Sequence, residues 1–373
     1  MEYTKRYLEL IHLFKFGVET HLESSNTDIR FYPFKSTVPV INEDKKIDIP
    51  EDSTINENLS FEYPVFIPST KNRSNKAILL LHGLNERNWG KYLTWAEYLC
   101  QKTGKPVILF PIAFHVNRSP LSWTNPRNLI HQLDLRRHRN GADPNLSLAN
   151  LTFSERISER PERFYKSGQQ SLNDISQLSF EIKNGTHPLF FENTQIDIFA
   201  YSIGAFLAEI IMMTNPRNLF STSKLFILCG GGIFSSMKGE SRLIMDKEAY
   251  EKLFNYYQYH FVEETKSSDI HDKAFESFNS MISIERNKDE REHFFKKLGK
   301  RLKGISLVND KVMPYNGVIE ALGHKNTKKR IALVDFPFEY SHENPFPVSK
   351  SINSKKVDRS FSGIFDKAAK FLK

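Results

Sequence analysis

The sequence predicts an α/β protein with a mostly parallel central sheet and helices on both faces of that sheet. From residue 76 onwards, short and continuously apolar runs alternate with helical segments, as expected for strands that are buried on both faces. The chain has 373 residues, of which 39% are hydrophobic and 26% charged, so it is long enough to bury a sizeable core. No uninterrupted apolar stretch approaches the ~18 residues of a membrane-spanning helix.

The first part of the chain, residues 1–75, is predicted to contribute a helix and leading strands that pack on the core. An amphipathic helix is expected within residues 1–24. Two strand-like runs, at 31–41 and 59–67, flank an acidic and polar stretch at 42–60, which is predicted to be a surface loop. The apolar residues near one face of the helix are Leu8, Ile11, Leu13, Phe14 and Val18.

Residues 76–373 are predicted to form the main domain, interrupted by two long insertions. The first insertion, at about 113–170, is rich in Arg, Asn, Ser and Pro, whereas the second, at about 233–300, is helical and aromatic. Excursions longer than ordinary connections commonly cover a site, so both are expected to be lid-like. The predicted strands are 77–81, 107–111, 196–200, 224–229, 304–309 and 330–335, with helices at 92–101 and from 204.

The net charge of +8 does not by itself indicate a nucleic-acid or membrane partner. The basic clusters, at 296–303 and 325–330, have the composition of solvated helix faces and loops, and no nucleic-acid-binding motif accompanies them. Cys100 and Cys229 are expected to be buried apolar residues, and neither they nor the twelve histidines have metal-ligand spacing. No dinucleotide fingerprint occurs either. The sequence therefore predicts no metal, no cofactor and no nucleic-acid partner.

Residues 195–213, QIDIFAYSIGAFLAEIIMM, predict an apolar strand that turns sharply into an apolar helix at Ser202. A nucleophilic serine on such a turn needs small residues two positions before and after it, and Ala200 and Gly204 meet this requirement. The first turn of the helix offers free backbone N–H groups to an oxyanion. The alternative is that Ser202 caps the helix, but the small flanking residues and the buried strand favour the nucleophile.

A serine hydroxyl is a poor nucleophile until an imidazole accepts its proton and a carboxylate orients that imidazole. Asp310 follows the strand predicted at 304–309, and His342 follows the last predicted strand. Both therefore lie beyond the carboxyl ends of strands, where open α/β sheets build their sites. Asp335 is the competing acid, and His324, which precedes the last strand, is the competing histidine.

The chain order Ser202, Asp310, His342 resembles that of the α/β-hydrolase superfamily. The turn from Ala200 to Gly204 resembles the Ala-x-Ser-x-Gly nucleophile elbow found in some of its lipases. The resemblance runs from about residue 76 to the C-terminus, outside the two insertions. The chain departs from the commonest pattern at Ala200, where Gly is usual. The resemblance implies an α/β-hydrolase fold with a mostly parallel sheet, and serine esterase or lipase-like chemistry.

Upstream, Leu81-His82-Gly83-Leu84 is similar to the family's His-Gly segment after the third strand. This similarity implies that the backbone N–H groups of Leu84 and Ile203 form the oxyanion hole. Asn85, Glu86 and Arg87 follow on a loop facing the site, where they either contact a polar substrate or are simply solvated. Supporting or substrate-facing positions are assigned to His82, Gly83, Asn85, Tyr201 and Gly230.

The sequence thus predicts a serine hydrolase that cleaves a carboxylic ester with an apolar or bulky acyl group. An amidase or acyltransferase would use the same three residues, and a non-catalytic binding protein of this fold is a further alternative. A protein that uses its basic clusters to bind a lipid or nucleic-acid surface is the remaining alternative. Charged residues interrupt the apolar N-terminal segment and no small-residue cleavage site follows, so a cytoplasmic protein is expected.

Overall fold

The computed structural model describes residues 2–37, 50–141, 143–265 and 272–373. Within these ranges, nine strands form a single sheet in the order β1-β2-β3-β5-β4-β6-β7-β8-β9. The strands are β1 (Thr20–Leu22), β2 (Thr27–Lys35), β3 (Ser60–Pro68), β4 (Ser74–Leu81), β5 (Val107–Leu109), β6 (Phe190–Tyr201), β7 (Leu225–Leu228), β8 (Leu302–Leu307) and β9 (Ile331–Val334).

The sheet is mostly parallel, which confirms the fold class predicted from the sequence. β4 pairs in parallel with both β5 and β6, and β6 to β9 continue in parallel. β1, β2 and β3 pair in antiparallel fashion, and β3 joins β5 in the same way. The N-terminal strands therefore extend the same sheet, and the boundary predicted at 75/76 falls inside β4.

Helices pack on both faces of the sheet. Successive residues of β4 point to opposite faces, so that Ile78 and Leu80 pack with the side chains of α4 and α15, whereas Leu79 and Leu81 pack with those of α7 and α8. The helices are α1 (Tyr3–Leu13), α2 (Pro50–Ser53), α3 (Asn56–Leu59), α4 (Gly90–Thr103), α5 (Pro126–Asn140), α6 (Leu151–Glu159), α7 (Arg163–Lys183), α8 (Ile203–Thr214), α9 (Lys247–Asn255), α10 (Phe261–Thr265), α11 (Lys273–Ser280), α12 (Lys288–Leu298), α13 (Tyr315–Leu322), α14 (His324–Arg330) and α15 (Ser354–Leu372).

The structure corrects two expectations about the N-terminal part. The loop predicted at 42–60 is interrupted by the short helices α2 and α3, while residues 42–49 lie outside the described ranges, as does the end of the strand predicted at 31–41. The helix α1 ends at Leu13, and the apolar face predicted for it is largely exposed. Tyr3 and Leu10 are buried instead, and the ring of Tyr3 stacks on Phe361 of α15 with centroids 4.2 Å apart.

The two insertions contact each other through buried polar groups. Arg136 of α5 is fully buried, and its guanidinium binds the carboxylate of Asp246, with Nη2 2.8 Å from Oδ1. Asp246 also caps α9, because its Oδ1 accepts the backbone N–H of Ala249 at 3.0 Å. Nearby, Asn150 in the first insertion donates its side-chain amide to the Ser241 carbonyl in the second, at 2.9 Å. The two insertions therefore bind each other directly, through an ion pair and a hydrogen bond, in addition to packing on the core.

Replacing Arg136 with Met is expected to destabilise this junction, because it leaves the Asp246 carboxylate buried without its cation. Breaking a buried ion pair from one side costs about 3–5 kcal/mol. Urea unfolding of the wild type and of Arg136→Met measures the loss. The double variant Arg136→Met/Asp246→Asn, which keeps a capping oxygen but removes the charge, should regain part of the stability, because the partly exposed Glu155 and Glu248 still lose their ion pairs with Arg136. A single variant within about 1 kcal/mol of the wild type would contradict this prediction.

His187, between α7 and β6, is held in its neutral form by the core. Its Nδ1 accepts the backbone N–H of Leu189 at 3.2 Å, so the ring hydrogen is on Nε2, which lies 2.9 Å from the Tyr63 hydroxyl. Burial lowers the pKa of His187 to about 4. A protonated ring would also lose its only acceptor and break the bond to Leu189.

Acidification is therefore expected to destabilise the fold through His187. In the unfolded chain the pKa is about 6.5, so between about pH 6.5 and pH 4 the unfolded state binds a proton that the folded state does not. At about pH 4.5 this group should cost about 2–3 kcal/mol of unfolding free energy relative to pH 7. His187→Asn keeps an acceptor for Leu189 but does not titrate. The difference in unfolding free energy between wild type and variant, measured by urea unfolding, should be smaller at about pH 4.5 than at pH 7 by about 2–3 kcal/mol.

Candidate active site

Ser202 occupies a strained turn between β6 and α8. Its backbone has φ 56° and ψ −125°, a positive φ that is uncommon for any residue other than glycine. The side chain makes no capping hydrogen bond to α8, although the Ser202 carbonyl accepts the N–H of Ala205 at 2.9 Å. The hydroxyl is thus not used as a helix cap, and is available for another partner.

The turn leaves no room for side chains at two glycines. A Cβ added to Gly204 would lie 2.6 Å from the carbonyl oxygen of His82, at the end of β4. A Cβ added to Gly230, just beyond β7, would lie 2.6 Å from the Ala205 Cβ and 2.8 Å from the Ser202 carbonyl oxygen. The loops that follow β4 and β7 are therefore packed directly against the turn.

Ser202, His342 and Asp310 form a continuous hydrogen-bonded chain. The Ser202 Oγ is 2.6 Å from His342 Nε2, and His342 Nδ1 is 2.8 Å from Asp310 Oδ2 and 2.9 Å from Oδ1. The Asp310 Oδ1 also accepts the backbone N–H groups of Val312 and Met313 at 3.0 and 2.8 Å. These contacts keep the carboxylate facing the imidazole, which fixes the hydrogen on Nδ1 and leaves Nε2 as an acceptor toward the serine.

The competing residues lie elsewhere. Asp335 accepts the hydroxyl of Tyr340 at 2.7 Å and the N–H of Phe336 at 2.9 Å, so its carboxylate shapes the loop after β9 and makes no hydrogen bond to His342 among the described residues. His324 begins α14 and is exposed.

The loop that carries His342 is held from two sides. The Tyr201 hydroxyl donates to the His342 carbonyl, and the two rings lie nearly parallel, at 15°, with centroids 5.6 Å apart. On the other side, the hydroxyl of Ser241 in the second insertion donates to the carboxylate of Glu343. The sequence marked Tyr201 only as a supporting residue and missed Ser241 and Glu343. No local pattern signals a contact between residues 102 positions apart.

The residues assigned to the oxyanion hole border the same space as the serine. Leu84, Ser202 and Ile203 line one cavity, and the backbone N–H groups of Leu84 and Ile203 donate no hydrogen bond to any part of the chain that the structure describes. The preceding His82 is fully buried, and burial lowers its pKa well below the ordinary value. Its Nε2 accepts the N–H of Ile112 at 2.9 Å and its Nδ1 donates to the Gly83 carbonyl at 2.8 Å, so it is a neutral structural residue.

Asn85 connects the core to both insertions. Its side-chain amide donates to the carbonyl of Ala149 in the first insertion at 2.9 Å and to that of Leu243 in the second at 2.8 Å. Both amide hydrogens are therefore used by the protein. Gly83 is also constrained, because its N–H donates to the Tyr92 hydroxyl at 2.9 Å and a Cβ there would lie 3.1 Å from the Tyr201 ring.

Three spaces meet near Ser202, and we name them by their linings. The aromatic cavity has a volume of about 60 Å³, and the methionine cavity about 40 Å³. The polar cleft, of about 300 Å³, contains Ser202 and His342. The aromatic cavity is lined by Leu84, Phe164, Tyr165, Ile203, Phe206 and Phe278, and the methionine cavity by Leu84, Ser202, Ile203, Met237, Met245 and Met313. The polar cleft is further lined by Glu86, Arg87, Lys91 and Glu343.

The two basic clusters lie apart from these spaces. Lys300, Lys303, Lys329 and Arg330 line a separate groove over β8 and β9, which shares no lining residue with the three spaces at Ser202. In the described ranges, no group of three or more His, Cys, Asp or Glu side chains could hold a metal ion. None of the helices described has both the length and the apolar character needed to traverse a bilayer.

A family model described as a family of unknown function, DUF6051, matches residues 1–373. The chain belongs to DUF6051. No curated protein matches this DUF6051 member. Its mostly parallel nine-stranded sheet with helices on both faces agrees with the α/β-hydrolase fold that the sequence resemblance implied.

Several solved structures are similar to the DUF6051 member at low sequence identity. An esterase from the archaeon Pyrobaculum calidifontis is 11% identical, with a TM-score of 0.43, covering 98% of this chain and 90% of its own. The esterase LipW from Mycobacterium marinum is 11% identical, with a TM-score of 0.46 and coverages of 99% and 87%. Carboxyl esterase 2 from the fungus Tuber melanosporum is 9% identical, with a TM-score of 0.48 and coverages of 99% and 97%.

The packing at the turn generates a stability prediction for this DUF6051 member. Gly230→Ala should destabilise it by about 1–3 kcal/mol, because the added methyl group overpacks the turn against Ala205 and Ser202. Gly363→Ala on α15 is the matched control, since nothing lies within 4 Å of its added Cβ. The control should gain about 0.5–1 kcal/mol from helix propensity. Urea unfolding of both variants tests the pair, and equal effects at the two sites would contradict it.

Proposed function

We propose that this protein is a serine hydrolase that cleaves carboxylic esters through an acyl-enzyme. The observation that carries the proposal is the hydrogen-bonded chain from Ser202 through His342 to Asp310, with 2.6 Å between the serine Oγ and the imidazole Nε2. A serine hydroxyl needs an adjacent base to become nucleophilic, and the base needs an acid to orient it. All three residues are at least 95% buried, so they are largely shielded from bulk water.

In the first half of the reaction, the Ser202 Oγ attacks the ester carbonyl carbon while His342 Nε2 accepts the hydroxyl proton. Asp310 stabilises the imidazolium that forms, and it remains ionised throughout. The carbonyl oxygen becomes an oxyanion, which accepts hydrogen bonds from the N–H groups of Leu84 and Ile203. Each oxyanion-hole donor of this kind is worth about 3–4 kcal/mol in the transition state.

In the second half, His342 returns its proton to the alcohol oxygen, the C–O bond breaks, and the acyl group stays on Ser202. His342 then accepts a proton from water, whose oxygen attacks the acyl carbon. Collapse of the second tetrahedral intermediate releases the acid and returns the proton to Ser202. No atom or electron is required beyond the ester and one water molecule.

Ester hydrolysis is favoured over amide hydrolysis because an alcohol leaves more readily than an amine. An acyltransferase would use the same residues with a second alcohol in place of water. A binding protein without turnover is disfavoured, because all three side chains are present and in hydrogen-bond contact. The cytoplasmic location expected from the sequence stays a prediction.

Labelling by a fluorophosphonate, with mass spectrometry of the modified peptide, tests the nucleophile. Ser202 is expected to be labelled, Ser202→Ala to be unlabelled, and His342→Gln to be labelled at least ~10³-fold more slowly because the base is lost. Ser223→Ala, which removes another buried serine, is the matched control and should be labelled like the wild type. If the folded wild-type protein is not labelled by the probe, the proposal is wrong.

The acid is tested by comparing Asp310→Asn with Asp335→Asn on a short-chain aryl ester. Asp310→Asn should lower kcat at least ~10³-fold, because an amide at this position favours the wrong tautomer of His342. Asp335→Asn should retain most of the activity, because its carboxylate supports only the loop after β9. The reverse order of effects would show that the acid is assigned wrongly.

A further inference from the structure

The spaces around Ser202 differ in polarity. The proposed reaction determines on which side of the serine the acyl part of the ester lies and on which side the alcohol part lies. His342 must protonate the alcohol oxygen, so the alcohol part lies on the His342 side of the serine. The acyl chain extends the other way, from the carbonyl whose oxygen faces the Leu84 and Ile203 amides. The inference below therefore rests on the proposed hydrolase function.

The acyl side is apolar. The aromatic and methionine cavities both include Leu84 and Ile203, and neither includes His342. Their walls are mainly aromatic, aliphatic and thioether side chains contributed by the core helix α8 and by both insertions. Burial of an apolar acyl chain there is favourable, because its methylene groups leave water for an apolar wall.

The alcohol side is polar and charged. The polar cleft includes His342 and Ser202 together with Glu86, Arg87 and Lys91. Glu86 and Lys91 neutralise each other, since their Oε1 and Nζ are 2.5 Å apart. The other carboxylate of the cleft, that of Glu343, accepts a hydrogen bond from the Ser241 hydroxyl.

Arg87 is a cation of the cleft that has no counter-ion in the part of the chain that the structure describes. Its Nη2 donates to the Leu148 carbonyl at 2.9 Å, and no carboxylate among the described residues forms an ion pair with it. The side chain also borders a further cavity, of about 60 Å³ and separate from the three named above, where the neighbouring Arg156 is paired with Asp52 at 2.9 Å. A half-buried guanidinium that keeps free N–H donors and lacks a carboxylate is suited to an anionic ligand.

We propose that the natural substrate is an ester of an apolar acyl group with a polar alcohol that carries a phosphate or carboxylate, and that Arg87 binds this anionic group. The acyl chain occupies the aromatic or methionine cavity, and the anionic alcohol leaves through the polar cleft. Arg87 is thus a specificity-determining residue that contacts the leaving group and takes no part in proton transfer.

Steady-state kinetics on matched esters test this assignment. The hexanoyl esters of 2-hydroxyethyl phosphate, of butanol and of choline share one acyl group, and the butyl monoester of succinic acid places the charge on the acyl side instead. We expect kcat/KM to be highest for the phosphate ester, by about tenfold or more over butyl hexanoate, as one charge-assisted hydrogen bond provides. Arg87→Met should reduce the ratio of kcat/KM for the phosphate ester to that for butyl hexanoate by a similar factor. Arg359→Met, which removes an exposed arginine of α15, is the control and should keep the wild-type ratio.

The outcomes separate the two proposals. Failure to hydrolyse any of these esters or p-nitrophenyl acetate, by a folded protein, would overturn the hydrolase function itself. Hydrolysis with a preference for butyl hexanoate, the choline ester or the succinate monoester would overturn only the substrate class. An Arg87→Met variant that loses activity equally on the phosphate and butyl esters would make Arg87 a structural residue, and would overturn its role as the anion site.

Discussion

The strained turn at Ser202 is the constraint on which the rest of the site depends. A non-glycine residue with positive φ costs of order 1–3 kcal/mol, and it persists only where its surroundings leave no alternative. Here the turn at Ser202 is surrounded largely by backbone atoms. Gly204 packs against the end of β4, and Gly230 packs against the turn itself. The same close packing brings the loop of His82 and Leu84 beside the serine.

The parallel strands bring the loops around this turn together and so determine the geometry of the candidate site. The carboxyl ends of β4, β6, β7, β8 and β9 lie at one edge of the sheet, and the loops after them meet there. Asp310 is held by two backbone N–H groups, and the loop of His342 is held by Tyr201. Each side chain of the hydrogen-bonded chain is thus positioned by its own loop, so their mutual distances follow from the sheet.

The insertions are coupled to this edge through polar contacts. Asn85 binds one carbonyl from each insertion, Arg136 joins the insertions to each other, and Ser241 reaches the residue next to His342. A movement of the second insertion would therefore also move the loop that carries the imidazole of His342. The same insertions provide about half of the apolar side chains that line the two apolar cavities, which ties the shape of the site to their packing.

The sequence by itself determined the α/β class, the strand positions in the core, and the identity of Ser202, Asp310 and His342 as candidates, because apolar runs and small flanking residues are local signals. The buried face predicted for α1 is wrong, and the sequence left Asp335 open as a competing acid. In both cases the residues that contact these side chains in the fold lie far along the chain, so no local pattern indicates them. Ser202 and His342 are 140 positions apart, and only tertiary structure brings them together. The polarity of each space around the serine was likewise decided only by tertiary structure, since residues from the core and both insertions line it together.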